Sequence, residues 1–175
     1  MTVAQPAVGV DIGGVLIARN DQCTDGGEDT SFFGDSWLQT PEVEGAFAGL
    51  ASLREAYGDM VFLVSKAGRR TEWKTRAWLQ ERDLEARTGV SPWRLWFTQD
   101  RAEKARIAAV LKLTAFVDDR LDVLAAMPEV ATRVLLDTVR AHEECGHQEV
   151  TQASSWEHAV SLLVRAAHEW RGSPR

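Results

Sequence analysis

Three short apolar runs end in oxygen-bearing side chains. "AVGV" (Ala7–Val10) runs into Asp11, "MVFLV" (Met60–Val64) into Ser65, and "AFV" (Ala115–Val117) into the pair Asp118 and Asp119. A carboxylate in such a place forms a turn, caps a helix or works as a nucleophile. Any one of these residues is weak evidence, because turns favour Asp and Ser anyway. Gathered at one edge they would form an acidic pocket for a divalent cation. An all-oxygen donor set favours Mg²⁺, which keeps several waters and binds one or two carboxylates plus a substrate phosphate.

The elements that would gather them can be read from periodicity. Five runs are brief and rich in β-branched or aromatic residues: Ala7–Val10, Met60–Val64, Leu95–Phe97, Ala115–Val117 and Arg133–Leu136. They read as strands buried on both faces. The third ends at Thr98-Gln99-Asp100 and the fifth at Asp137. Helices are expected over about 43–57, 71–88, 101–111, 121–126 and 155–170. Pro41 is placed to open the first and Gly58 to close it. Asp100 and Glu103 suit a capping box before the fourth strand. Trp156, Val160, Leu163 and Ala167 mark one face of the last helix. Strands alternating with helices predict an α/β fold, a doubly wound parallel sheet of about five strands with helices on both faces. In such sheets ligands bind at the carboxyl ends of the strands.

With those residues at the strand ends, the sequence resembles the haloacid dehalogenase (HAD) superfamily of aspartate-nucleophile phosphohydrolases. Four elements occur in order: "VGVDIGGVL" with Asp11, "VFLVS" with Ser65, "RAEKARIAAVL" with Lys104, and "AFVDDRLDVL" with Asp118 and Asp119. The resemblance covers roughly Val8 to Leu124. It implies a Rossmann-like fold with Asp11 as a nucleophile forming an aspartyl-phosphate. It also implies Mg²⁺ held by Asp11, the Gly13 carbonyl and Asp119. Ser65 would hydrogen-bond a phosphoryl oxygen, and Lys104 would neutralise charge on Asp11 and the transferring group. Asp118 would position Lys104 or a metal-bound water. The Ile12 and Gly13 amides would cradle the phosphate, since glycine lets a ligand approach the backbone closely.

The pattern departs from the resemblance at one place. Phosphatases of this superfamily commonly carry an acid–base aspartate two positions after the nucleophile, where this chain has Gly13. General acid–base help is worth about 10²–10⁴-fold. Asp21, Asp25, Glu28, Asp29 or Asp35 could supply the proton, or the leaving group could need little protonation. Otherwise the chain binds phosphate or a nucleotide on the same fold without efficient turnover. A dehalogenase shares the aspartate nucleophile but needs no metal, and the pair Asp118–Asp119 argues against it. Asp122 reads equally as a distal acid of the fourth motif or as an N-cap.

Residues 18–40 form a long connection, and long loops are often functional. A flap or minimal cap is expected there, with Phe32, Phe33 and Trp37 closing over the site or anchoring the loop to the core. Lys66, Arg69, Arg70 and Lys74 are expected at the pocket mouth, where they could steer an anionic substrate. The stretch from Trp73 through "FVDD" faintly resembles the deoxyribonucleotidase-like branch, which adds a nucleotide to the possible substrates. His142, Cys145 and His147 fit no zinc spacing and read as a polar loop.

Composition sets the outer bounds. The 175 residues suit one domain, 45% hydrophobic and 26% charged, as in ordinary soluble proteins. A net charge of −6 argues against a nucleic-acid backbone partner, but not against a small phosphorylated ligand. No apolar run approaches the ~20 residues of a membrane span. The N-terminus lacks the features of a secretory signal. Cys23 and Cys145 suggest no disulfide framework, so a cytoplasmic protein is expected. The seven tryptophans are expected mostly in core or groove packing.

Overall fold

The computed structural model describes residues 5–19, 30–137 and 149–172. Six strands form one parallel sheet: β1 (Val8–Val10), β2 (Val61–Lys66), β3 (Leu95–Thr98), β4 (Ala115–Asp118), β5 (Thr132–Leu136) and β6 (Val150–Ala153). Their order is β3-β2-β1-β4-β5-β6. The helices are α1 (Ala46–Tyr57), α2 (Arg69–Glu81), α3 (Leu84–Thr88), α4 (Glu103–Val110), α5 (Leu121–Ala125) and α6 (Trp156–Gly172).

Strand alternation divides the core into two layers. Val8, Val10, Val61, Leu63, Ala115, Val117, Val134 and Leu136 point to the layer shared with α1, α2 and α6. Phe62, Val64, Phe116 and Leu135 point the other way, toward Ala108 of α4 and Val123 and Leu124 of α5. Right-handed crossovers place the helices in this way. The chain winds outward from β1 to β3 on one face, then returns over the other to β4 and β5. The winding reverses between β1 and β4, the place where open parallel sheets bind ligands.

Two of the largest buried side chains lock the first layer. Trp156 at the start of α6 donates its indole N–H to the Val15 carbonyl at 2.8 Å. Trp78 of α2 donates to the Thr40 carbonyl at 2.9 Å. Each satisfies a buried polar group while filling the core, and together they anchor the connection between β1 and α1 at two points.

Several expectations need correction. The sheet has six strands, not five, because "VTQA" was too short and too polar to stand out; it pairs only with β5, at the sheet edge. The helix expected over 71–88 is two, broken where Asp83 turns left-handed at φ 50°. Arg82, beside the break, is held over the Trp78 ring and donates to the Leu38 and Thr40 carbonyls. Pro41 does not open α1. Its carbonyl accepts the Ala18 N–H, and α1 begins at Ala46. Gly58 does close α1, with φ 63° and its N–H on the Arg54 carbonyl.

The tryptophans also divide differently from expectation. Only Trp78 and Trp156 are fully buried, whereas Trp73 and Trp93 are 63% and 91% exposed. The flap acids Asp21, Asp25, Glu28 and Asp29, and Cys23, His142, Cys145 and His147, lie outside the described residues. Among the described residues, no helix is long and apolar enough to cross a membrane.

Candidate active site

The nucleophile candidate sits where the strand ladder ends. The Asp11 N–H still donates to the Val117 carbonyl at 3.0 Å, so Asp11 is fastened to β4 as its side chain leaves the sheet. A tight turn follows: the Leu16 and Ile17 amides donate to the Ile12 carbonyl, and the Gly14 N–H to Ile17. That turn brings the chain back to Arg19, at the cavity wall.

The two glycines do different work. Gly14 has φ +79°, and a Cβ there would lie 2.2 Å from Asp119 Oδ2. Gly13 has no such demand: a Cβ there would meet nothing within 4 Å. The turn therefore requires glycine at 14, while position 13 opens onto free space. Gly14→Ala is expected to cost about 1–3 kcal/mol, from left-handed strain and the displaced Asp119. Urea denaturation measures it, and Gly13→Ala should cost far less.

Lys104 of α4 lies between two carboxylates, its Nζ 2.8 Å from Asp11 Oδ1 and 2.8 Å from Asp118 Oδ2. All three side chains are buried. The turn before α4 positions the lysine. Asp100 Oδ1 accepts the Ala102 N–H, and Glu103 Oε2 accepts those of Gln99 and Asp100. The expected capping box does not form: Ala102 is the N-cap of α4, and the two acids brace the turn before it instead. Asp118 is fixed on its other side by the Arg120 N–H at 3.0 Å.

Burial raises the Asp11 carboxyl above its ordinary range, opposed chiefly by the Lys104 charge. Burial raises Asp118 further, reinforced by the nearby Asp11 charge. Burial alone would lower Lys104, but attraction to Asp11 and Asp118 overcomes it and holds the ammonium above its usual range. The cluster is therefore short of positive charge.

Asp119 adds a third acid. Oxygens of Asp11, Asp118 and Asp119 lie within 4.8 Å of one another. Arg19 engages Asp119 through Oδ2, with Nη2 at 2.7 Å and Nε at 3.0 Å. The buried Asp11 Oδ1 contacts Lys104 by charge, but no hydrogen-bond donor is aligned on it among the described residues. Close acids, an oxygen with spare accepting capacity and an all-oxygen donor set fit a hard divalent cation.

A cavity of about 580 Å³ opens beside the cluster. Asp11, Gly13, Ser65, Lys66, Lys104 and Asp119 all line it, as does Phe33 from the connection between β1 and α1. The Ser65 hydroxyl makes no hydrogen bond to the described residues. Ile12 is buried instead. Its amide is turned to the Asp11 carboxylate, and its side chain joins the core. Asp118 lies behind Lys104, outside the cavity wall.

Other expected residues lie elsewhere. Arg69 and Arg70 are exposed but do not line the cavity. Lys74 is buried: its Nζ donates to the Phe32 carbonyl and lies 5.2 Å from the Trp37 ring centre. It holds Phe32 and Trp37 of the connection before α1 rather than steering an anion. Trp37 packs edge-on against Phe32 and beside Trp73, so it anchors the loop, while Phe32 and Phe33 reach the cavity. Asp122 is neither an N-cap nor at the cavity. It pairs with Arg120 at 3.0 Å, a hydrogen bond that lowers its carboxyl below the usual range. Asp35 is exposed and away from the cavity.

Several cavity residues escaped sequence reasoning, among them Arg19, Arg101, Arg120, Thr71 and Thr75. The two threonines carried a signal, being four apart on the helix that follows Ser65. Arg19 and Arg101 carried none, because a loop arginine has no periodicity.

No protein-family model and no curated protein matches the sequence. Among solved structures the chain is similar to a haloacid dehalogenase-like family hydrolase from Xanthomonas campestris. The identity is 15% and the TM-score 0.60, over 95% of this chain and 99% of that one. The six-stranded parallel sheet, with its acids at the β1–β4 switch point, is the haloacid dehalogenase-like fold.

Proposed function

We propose that the protein is a Mg²⁺-dependent phosphohydrolase of the haloacid dehalogenase type, acting on a small phosphorylated metabolite through an aspartyl-phosphate on Asp11. One observation carries this reading. Asp11, Lys104 and Asp118 form a buried ion chain at the switch point, and it opens onto a cavity of small-molecule size beside Asp119.

Each residue then has a role its surroundings support. Asp11 attacks phosphorus, with its carboxylate kept ionised by Lys104 against the penalty of burial. Lys104 also offsets charge on the transferring group, and Asp118 holds that ammonium in place and charged. Ser65 donates its hydroxyl to a phosphoryl oxygen, and Gly13 leaves the backbone open to the substrate. Asp11, the Gly13 carbonyl and Asp119 would hold Mg²⁺, with Arg19 steadying Asp119 from its other oxygen. The bound ion supplies positive charge between two anions that otherwise repel.

The test is a purified-protein assay on metabolite phosphates and a generic aryl phosphate, with Mg²⁺ and with a chelator. Turnover with Mg²⁺ that stops on chelation is the expected result. Gly13 motivates the second reading, a phosphate- or nucleotide-binding protein. Phosphate-ester binding without turnover of any substrate would favour that reading and overturn the first.

A further inference from the structure

We infer that the substrate's leaving group departs as a stable anion, a carboxylate or a phosphate, received by Lys66 and Arg101. The inference rests on the phosphohydrolase reading and names its substrate class as acyl phosphates and phosphoanhydrides.

The cavity wall is the starting point. Among the described residues its carboxylates are Asp11 and Asp119 alone, and both belong to the nucleophile and cation cluster. Neither is available to protonate a leaving oxygen. The remaining charged groups are cations: Arg19, Lys66, Lys104, Arg101 and Arg120. Three of them are committed. Lys104 sits between Asp11 and Asp118, Arg19 on Asp119 and Arg120 on Asp122.

Lys66 and Arg101 are different. Neither has a carboxylate partner among the described residues. The acids nearest Arg101 in sequence are occupied, since Asp100 and Glu103 accept backbone amides of their own turn. Both line the cavity, Lys66 as the last residue of β2 and Arg101 three residues beyond the end of β3, and these two strands pair. Lys66 pairs in register with Thr98, the Ala67 N–H donates to the Thr98 carbonyl, and the Gln99 side chain donates to the Ala67 carbonyl. Two cations lining a cavity of this size, without acid partners among the described residues, fit a second anionic group beyond the transferring phosphate.

The step balances without a proton donor. An Asp11 carboxylate oxygen forms a bond to phosphorus as the bond from phosphorus to the leaving oxygen breaks. The electron pair stays on that oxygen, which leaves as carboxylate or phosphate between Lys66 and Arg101. An alkoxide has no such stability and needs a general acid, worth about 10²–10⁴-fold. The open space at Gly13, where a side chain would meet nothing within 4 Å, leaves that position without an acid.

The experiment compares kcat/KM for acetyl phosphate, pyrophosphate and glycerol phosphate on the wild type, Lys66→Met, Arg101→Met and Gly13→Asp. The wild type is expected to prefer at least one of the first two over the alkyl ester by about 100-fold or more. Acetyl phosphate alone being fast identifies a carboxylate leaving group, and pyrophosphate alone a phosphate. Each Met variant should reduce the preference about tenfold, and Gly13→Asp should narrow it by accelerating the alkyl ester. Methylene diphosphonate binding, followed by calorimetry, should weaken in both Met variants, which a purely structural role would not produce if methylphosphonate binding is retained. Equal rates on all three substrates would overturn the inference and leave the phosphohydrolase reading standing. Absence of turnover on every substrate would overturn that reading, and the inference with it.

Discussion

Asp11→Asn is expected to lower kcat by about 10⁴-fold or more while the protein stays folded. An amide oxygen carries no charge to form the bond to phosphorus, so the first step loses its nucleophile. Folding should survive for a reason visible in the ion chain. Lys104 keeps its 2.8 Å contact with Asp118, so no buried ammonium is stranded. The variant also removes a carboxylate that burial had already pushed above its ordinary range. Its stability in urea is therefore expected within about 1 kcal/mol of the wild type, since only one partner of a still-paired cation has changed. Steady-state kinetics and denaturation on one preparation check both halves. Turnover that survives the substitution would remove Asp11 from the nucleophile role.

Lys104→Met should have the opposite balance, with a large effect on stability as well as on rate. Methionine matches the lysine stem but leaves Asp11 and Asp118 facing each other with no cation between them. Breaking a buried pair in this way costs about 3–5 kcal/mol. A loss of about 10²–10³-fold in kcat should accompany it, as for other groups that stabilise transferring charge.

The pH dependence carries the diagnostic sign. Both carboxyls already sit above the ordinary value of 3.8 because of burial, and losing Lys104 raises them further. The folded variant then binds protons that the unfolded chain releases. Its stability must fall as pH rises from the unfolded carboxylate value, and recover on acidification. The gap between variant and wild type should therefore widen from acid toward neutral pH. A gap constant over that range would contradict the charge arrangement.

Much of this was legible in the sequence, for physical reasons. Central parallel strands are buried on both faces, so their apolar runs announce themselves, and the polar residue that ends each run marks the ligand edge. Asp11, Ser65 and Asp119 were found in that way, and all three line the cavity. What failed shares a different character. β6 is an edge strand with an exposed Thr151, so its pattern is half polar. The break at Asp83 depends on Arg82 reaching back to the Leu38 and Thr40 carbonyls, a tertiary contact that no local pattern encodes. Lys74 read as a surface cation because helical spacing does not reveal a loop folded over it. Gly13 was singled out as the place of a missing acid, but the need for glycine at 14 was not legible, because it lies in a φ of +79° and in the approach of Asp119.

The central claim is a covalent bond between Asp11 and phosphorus, and a trapped intermediate tests it most directly. The protein would be mixed with Mg²⁺ and excess acetyl phosphate, quenched in acid during turnover, digested and analysed by mass spectrometry. The account predicts one added phosphoryl group on the peptide carrying Asp11, labile to mild base and absent from Asp11→Asn. A phosphoryl group on any other residue, or turnover with Asp11 unmodified throughout, would contradict it.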